Sequence, residues 1–134
     1  MQETILQKEI TQEKEVQETT TQERKTSEAL GNVVDNAVKY TPAGGTVTVS
    51  AQMLGSFCRV DVTDTGPGIP EGEQGEIFNR FYRGAGTRTA EGLGLGLYLT
   101  RKILTLQGGY IKVSSIPGSG STFSLYLPRE LSGV

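Results

Sequence analysis

All eighteen glycines of this chain fall after residue 30, and two groups of them are placed in a meaningful order. The first is Asp64-Thr-Gly-Pro-Gly-Ile-Pro70, and the second is Gly92-Leu-Gly-Leu-Gly-Leu97, which lies where an apolar helical pattern begins. Glycine lets a backbone approach its surroundings closely, and the start of a helix offers unpaired N–H groups to an anion. Either motif alone is ordinary turn chemistry. Their order relative to a helical segment carrying Asn32 and Asn36 makes them informative together.

The chain has 134 residues, about one domain with a sizeable core. A net charge of −2 leaves no basic footprint, which argues against nucleic acid as a partner. The single cysteine, Cys58, forms no internal disulfide and reads as a small buried hydrophobe. No stretch approaches the roughly 20 apolar residues of a bilayer span, and the start lacks the layout of a signal peptide. A soluble, cytoplasmic chain is therefore expected. Histidine is absent, which removes it as base, metal ligand or phosphoacceptor within these residues.

Eleven of the first thirty residues are charged, and the composition breaks near Thr26. Residues 1–26 form a polar N-terminal segment, a remnant or linker, for which a solvated helix, an edge strand around Val16 to Thr21 and partial disorder all stay open. From Ser27, Ala29, Leu30, Val33, Val34, Ala37 and Val38 recur at helical spacing, with Thr26 or Ser27 as a cap and an end before Pro42. Thr46–Ala51 and Arg59–Asp64 alternate as a hairpin. Glu73–Tyr82 places Ile77, Phe78 and Phe81 on one helical face, and Arg83–Gly92 reads as a mobile loop. Leu95, Leu99, Ile103 and Leu106 mark another helix, stopped at Gly108-Gly109. Tyr110–Ser115 and Thr122–Leu127 form a second hairpin around Pro117-Gly118-Ser-Gly120. The fold class implied is α+β, a two-layer α/β sandwich with a mixed sheet covered on one face by about three helices.

Asn32, Asn36, Lys39 and Tyr40 share one side of their helix. An Asn oxygen is a suitable hard ligand for Mg²⁺, which takes few protein ligands beside substrate phosphates. The bland alternative is an exposed polar helix face. Asp64 continues the core-facing set of Val60 and Val62, where a carboxylate is costly unless it accepts hydrogen bonds. An exocyclic amino group such as adenine's would supply one, with Gly66 and Gly68 admitting the base and Ile69 as an apolar wall; an Asx-turn is the competing explanation. The second glycine motif lacks the Lys-Ser/Thr ending of a P-loop and does not follow a strand, which disfavours the P-loop and dinucleotide folds. Its N–H groups, with the helix dipole behind them, suit di- or triphosphate oxygens. Arg83 and Arg88 stand where a guanidinium can close on a terminal phosphate, or are simply solvated.

These residues, taken in order, resemble the catalytic ATP-binding domain of bacterial sensor histidine kinases, in the superfamily shared with DNA gyrase, heat-shock chaperone ATPases and MutL. Asn32-Val-Val-Asp-Asn-Ala-Val-Lys-Tyr40 looks like the asparagine box, Asp64–Ile69 the first glycine box, Ile77–Arg83 the phenylalanine box and Gly92–Leu97 the second glycine box. Gly118–Phe123 looks like the closing glycine hairpin. The resemblance spans Glu28 to Pro128 and implies a Bergerat-type sandwich over residues 27–134, with ATP and Mg²⁺ held between the asparagine helix and a lid over Tyr82–Leu93. By position, Asn36 would bind Mg²⁺, Asn32 would assist, Lys39 would touch phosphate, Tyr40 would pack near the adenine and Asp64 would hold its amino group. Arg83 would approach the γ-phosphate, Gly92, Leu93, Gly94, Leu95, Gly96 and Leu97 would fold around the phosphates, and Ser121 would sit near Asp64 through water.

Two departures shape the functional expectation. The family transfers its phosphoryl group to a histidine on a dimerisation domain, and these residues contain none. The family's upstream strand with its adjoining acidic residue is also not recognisable in the first 25 residues. The expectation is the ATP-holding part of a kinase, unable to phosphorylate itself on histidine. Its partners would be a dimerisation domain outside these residues and, through the full kinase, a response regulator. The full protein would be a homodimer and is compatible with membrane anchoring, whereas this chain alone would be a monomer. The alternatives are an ATPase of the gyrase or MutL type, an anti-sigma-like serine kinase, and a nucleotide-regulated binding module. The ATPase class places a glutamate where Asn32 stands, and Asn32 cannot act as a carboxylate base.

Overall fold

The computed structural model describes residues 17–79 and 95–129, with side chains from Arg24 onward. Helix α1 spans Gln17–Tyr40, strands β1 and β2 span Val47–Leu54 and Phe57–Asp64, and helix α2 spans Gly96–Leu106. Strands β3 and β4 span Tyr110–Ile116 and Gly120–Pro128. The four strands form one sheet in the order β1-β2-β4-β3. Every pairing is antiparallel, so the sheet of the described residues is antiparallel rather than mixed.

The strands form because β-branched and aromatic residues alternate along them, and the alternation decides which side is buried. Val49, Val60, Val62, Ile111, Phe123 and Leu125 are all buried on one face. The other face carries Thr63 against Thr122, Asp61 accepting from Ser124 and Arg59, and the stacked rings of Tyr110 and Tyr126. Helix α1 lies over β1 and β2, and α2 lies over β3 and β4. Two α-helices therefore cover the sheet among the described residues, not three. The two-layer α+β sandwich is the observed architecture.

The missing helix is the one expected at Glu73–Tyr82. A 3-10 turn over Glu71–Glu73 precedes it, and its described part, 73–79, consists of further turns whose N–H groups reach back three residues, as in Glu76 to Glu73 and Asn79 to Glu76. Gly72 and Gly75 interrupt this run, and each costs a helix about 1 kcal/mol relative to alanine. Burial of Ile77 and Phe78 is nonetheless as the periodicity implied. Phe81, Tyr82 and the loop expected at Arg83–Gly92 lie outside the described residues.

Helix α1 begins ten residues before Ser27, at Gln17, and runs through the composition break. Gln, Glu, Lys and Arg are good helix formers without being apolar, so the segment folds as a helix without showing hydrophobic periodicity. Thr26 and Ser27 are thus interior positions and not caps. Thr26 donates from Oγ1 to Gln107 Oε1 at 3.1 Å, just beyond the end of α2.

The two helices run antiparallel, and small or hydroxylated side chains make their contact. Ala29, fully buried on α1, lies against Thr100, fully buried on α2. The Thr100 hydroxyl is 2.9 Å from Gly96 O and 3.3 Å from Ala29 O, so one proton serves two carbonyls across the interface. Under both helices sits a continuous core that includes Val33, Ala37, Val62, Leu104, Phe123 and Leu125. Among the described residues no helix is long and apolar enough to cross a membrane. Leu104, with no exposed surface, is expected to cost about 2–5 kcal/mol on replacement by alanine, measured as a lowered midpoint in urea denaturation with an unchanged slope.

Candidate functional site

Asn32, Asn36, Lys39 and Tyr40 lie along one side of the last turns of α1, over about 12 Å of helix axis. At its C-terminal end this face is closed by the segment that follows β2. Thr41 donates from Oγ1 to Ala37 O at 2.6 Å and so ends the helix with a side-chain bond. The chain turns through Gly45, whose N–H donates to Pro42 O at 2.9 Å, and enters β1. The β1–β2 register then sets Asp64 opposite Val47, while the β2–β4 register sets it opposite Ser121.

Asp64 occupies the core face beyond Val62 and is half-buried, as strand alternation required. Its Oδ1 accepts the Gly66 N–H at 2.8 Å, so the Asx-turn is real. A single bond of this kind leaves Oδ2 without a partner among the described residues. Turn closure and ligand recognition are therefore compatible at this carboxylate.

The glycines of the first motif serve packing inside the protein. A β-carbon on Gly66 would lie 2.9 Å from Tyr40 O, the carbonyl end of α1. Gly68 has φ +77, and a β-carbon there would lie 2.5 Å from Ile116 O in the β3–β4 hairpin. The same hairpin donates Gly118 N–H to Pro67 O at 2.6 Å. Ile69, 8% exposed, is packed in the core cluster as well as lining this end.

At the other end of the α1 face stands the start of α2. Asn32 donates from Nδ2 to Gly96 O at 3.4 Å. The N-cap of α2 is Leu95, which has no side-chain capping bond, and the first turn holds no acidic residue. Among the described residues, no capping side chain therefore meets the N–H groups of Gly96 and Leu97. Leu95 and Leu97 are half-buried, Leu97 against the core, and Gly96 is exposed. Gly92, Leu93, Gly94 and Arg83, assigned from the sequence to the same site, lie outside the described residues.

Asn36 sits between these two ends. It is half-buried, and its side chain makes no hydrogen bond to a described residue, unlike Asn32. Lys39 is exposed and Tyr40 half-buried. The arrangement is polar in a directional sense. The C-terminal end of α1 and the Asp64 carboxylate offer electron-rich acceptors, and the start of α2 offers N–H donors at the positive end of its dipole. A ligand with an amino group at one end and anionic oxygens at the other fits that order.

Two contributors were missed in the sequence. Ser115 Oγ accepts the Ile69 N–H at 2.7 Å and meets Ser121 Oγ at 2.9 Å, and Gln74 Nε2 donates to Ile69 O at 2.9 Å. The signal for Ser115 was present, since it continues the core-facing set of Ile111 and Val113, as Asp64 continues that of Val62. Gln74 had none, because its turn was read as helix. Ser121, 6% exposed, is held opposite Asp64 across the strand pair.

Among the described residues no group of three or more His, Cys, Asp or Glu could hold a metal ion. A divalent ion here would need to be shared with a ligand, and the amide oxygen of Asn36, without a partner among the described residues, is a hard donor suited to that.

Comparison with known proteins shows the family of the chain. Residues 21–131 match the family model described as histidine kinase-, DNA gyrase B-, and HSP90-like ATPase. The chain is 46% identical over 102 residues to the adaptive-response sensory kinase SasA of Rippkaea orientalis, covering 75% of this chain and 26% of that protein. It is 42% identical over 105 residues to the sensor protein DivL of Caulobacter vibrioides, covering 78% of this chain and 13% of that protein. The chain thus spans about a quarter or less of these curated relatives. Among solved structures, the mycobacterial sensor histidine kinase MprB superposes with a TM-score of 0.74 at 33% identity, over 81% of this chain and 76% of that one. Full-length ShkA in complex with AMPPNP superposes with a TM-score of 0.70 at 33% identity, over 79% of this chain and 22% of that one.

Gly68→Ala is expected to destabilise the protein by about 1–3 kcal/mol from the left-handed backbone alone. The contact with Ile116 O adds to that loss, and urea denaturation of the variant beside the wild-type chain measures the total.

Proposed function

This chain belongs to the family of histidine kinase-, DNA gyrase B- and HSP90-like ATPases and is an ATP-binding catalytic domain of the sensor histidine kinase kind, and on that premise we propose that it binds ATP with Mg²⁺ and donates the γ-phosphoryl group to a histidine on a dimerisation domain outside these residues. The observation that carries the reading is the face of α1, bounded by the Asp64 carboxylate at one end and by the start of α2, Leu95 to Leu97, at the other. The adenine amino group donates to Asp64, with Ile69 and Tyr40 beside the base. The phosphates lie toward Asn32, Lys39 and the first N–H groups of α2, through Leu95, Gly96 and Leu97. The related ShkA was solved in complex with AMPPNP, which supports nucleotide binding.

Asn36 would hold Mg²⁺ through its amide oxygen, and the ion would neutralise charge on the phosphate oxygens. Lys39 offers a mobile ammonium to the same oxygens. Arg83, with Gly92, Leu93 and Gly94, is assigned to the phosphate end by its place in the sequence. Phosphoryl transfer rests on positioning and charge stabilisation more than on covalent chemistry by the protein. Residues that only bind and orient are therefore sufficient for this half of the reaction.

The acceptor must come from elsewhere, because none of the 134 residues is histidine. The partners proposed are a histidine-bearing dimerisation domain and, through the full kinase, a response regulator. The full protein is proposed as a homodimer and this chain alone as a monomer. Cytoplasmic placement of this domain follows from its need for ATP.

Calorimetric titration is expected to show Mg²⁺-dependent ATP binding lost in Asn36→Ala. Asp64→Ala is expected to weaken binding by about 1.5–3 kcal/mol, the usual worth of a hydrogen bond to a charged group. Unchanged affinity in both variants would sink the site assignment. Mixing the chain with a competent histidine-bearing dimerisation domain and labelled ATP is expected to give acid-labile phosphate on that domain. Failure to label it rules against the kinase reading, and rapid ATP hydrolysis that depends on Asn32 would point to the ATPase class.

A further inference from the structure

Resting on the reading of Asp64 and Ile69 as base contacts, we propose that Ser115 and Gln74 are positioning residues that hold the Ile69 wall in place and thereby set the preference for adenine over guanine. Residues 65–70 belong to neither a helix nor a strand, yet Ile69 is buried. Buried backbone N–H and C=O groups must be paired. At Ile69 both are paired by side chains from other segments. Its N–H donates to Ser115 Oγ at 2.7 Å, and its C=O accepts from Gln74 Nε2 at 2.9 Å.

The two side chains are themselves locked. Gln74 Nε2 also donates to Ser115 O at 3.2 Å, so one amide clamps Ile69 and β3 together. Ser115 Oγ lies 3.0 Å from Gly120 O and 2.9 Å from Ser121 Oγ. A hydroxyl has one proton to donate and two lone pairs to accept with. Donating to Gly120 O and accepting from Ile69 N–H and Ser121 O–H uses all three, leaving the hydroxyl one satisfied arrangement. Ser121 in turn faces Asp64 across the strand register. The network therefore fixes the wall and the carboxylate relative to each other.

That relation matters for specificity. Adenine presents an amino donor where guanine presents a carbonyl, so a carboxylate favours the first and repels the second. The discrimination holds only while the base is kept against Ile69 with its edge on Asp64. With alanine at 115, the Ile69 N–H and the Ser121 hydroxyl lose their partner, and the wall moves to find others.

The test measures ATP and GTP affinities for the chain and for Ser115→Ala, Ser115→Thr, Gln74→Leu and Asp64→Asn. The expected result is a preference for ATP that narrows about five- to tenfold in Ser115→Ala and in Gln74→Leu, with Ser115→Thr restoring it through its retained hydroxyl. Equal losses for both nucleotides, or an unchanged ratio, would overturn the proposal while leaving the base pocket intact if Asp64→Asn abolishes the preference. A preference untouched by Asp64→Asn overturns the base-pocket reading itself. Should Ser115→Ala fail to fold, Gln74→Leu, at a half-buried turn position, decides between these outcomes.

Discussion

The carbonyl end of α1 meets the backbone of Gly66 at a distance that admits no β-carbon, and the candidate site depends on that contact. It fixes the asparagine-bearing face of a long helix against the end of a central strand. Without it, Asn36 and Asp64 would belong to two elements free to slide past one another. The opposite end is fixed in a different way, by Asn32 on Gly96 O and by Thr100 shared between the helices. Two attachments of a rigid helix fix both ends of that face.

The polar groups at the end of the sheet follow one rule. Asp64, Ser115 and Ser121 all occupy core-facing positions where their strands run beyond the cover of apolar side chains. Ser115 and Ser121 satisfy each other and the adjoining loop. Asp64 accepts from Gly66 with one oxygen, and the other has no partner among the described residues. A half-buried acceptor left open at the edge of a well-paired network is a costly arrangement, and a ligand donor relieves the cost. The network thus holds this end of the sheet and the adjoining loop together.

Much of this was legible in the residues. The strand alternation placed Asp64 on the core face, the helical spacing aligned Asn32, Asn36, Lys39 and Tyr40, and the motif order identified the family. The start of α1 was not legible, because Gln17–Thr26 is helical through propensity and not through periodicity. The Glu73–Tyr82 helix was misread for the opposite reason. Ile77 and Phe78 have the right spacing, but Gly72 and Gly75 break the hydrogen-bond ladder and leave successive turns. The apolar pair is buried either way, so burial alone did not distinguish the two structures. The glycines at 66 and 68 were recognised as sites of close approach, and what approaches them is the protein's own backbone.

The sequence by itself determined the α+β sandwich, the face of each strand that is buried, and the alignment of Asn32, Asn36, Lys39 and Tyr40 on one side of a helix. These are properties of period and residue type, set within a few positions of chain. Only the tertiary structure decided how Ile69 is held, and that the sheet of the described residues is antiparallel with two covering helices. The hold on Ile69 and the β2–β4 pairing depend on hydrogen bonds between residues more than forty positions apart, such as Ser115 with Ile69. No local pattern records such a partner, because a serine in a strand looks the same whether it faces solvent or completes the wall of a site.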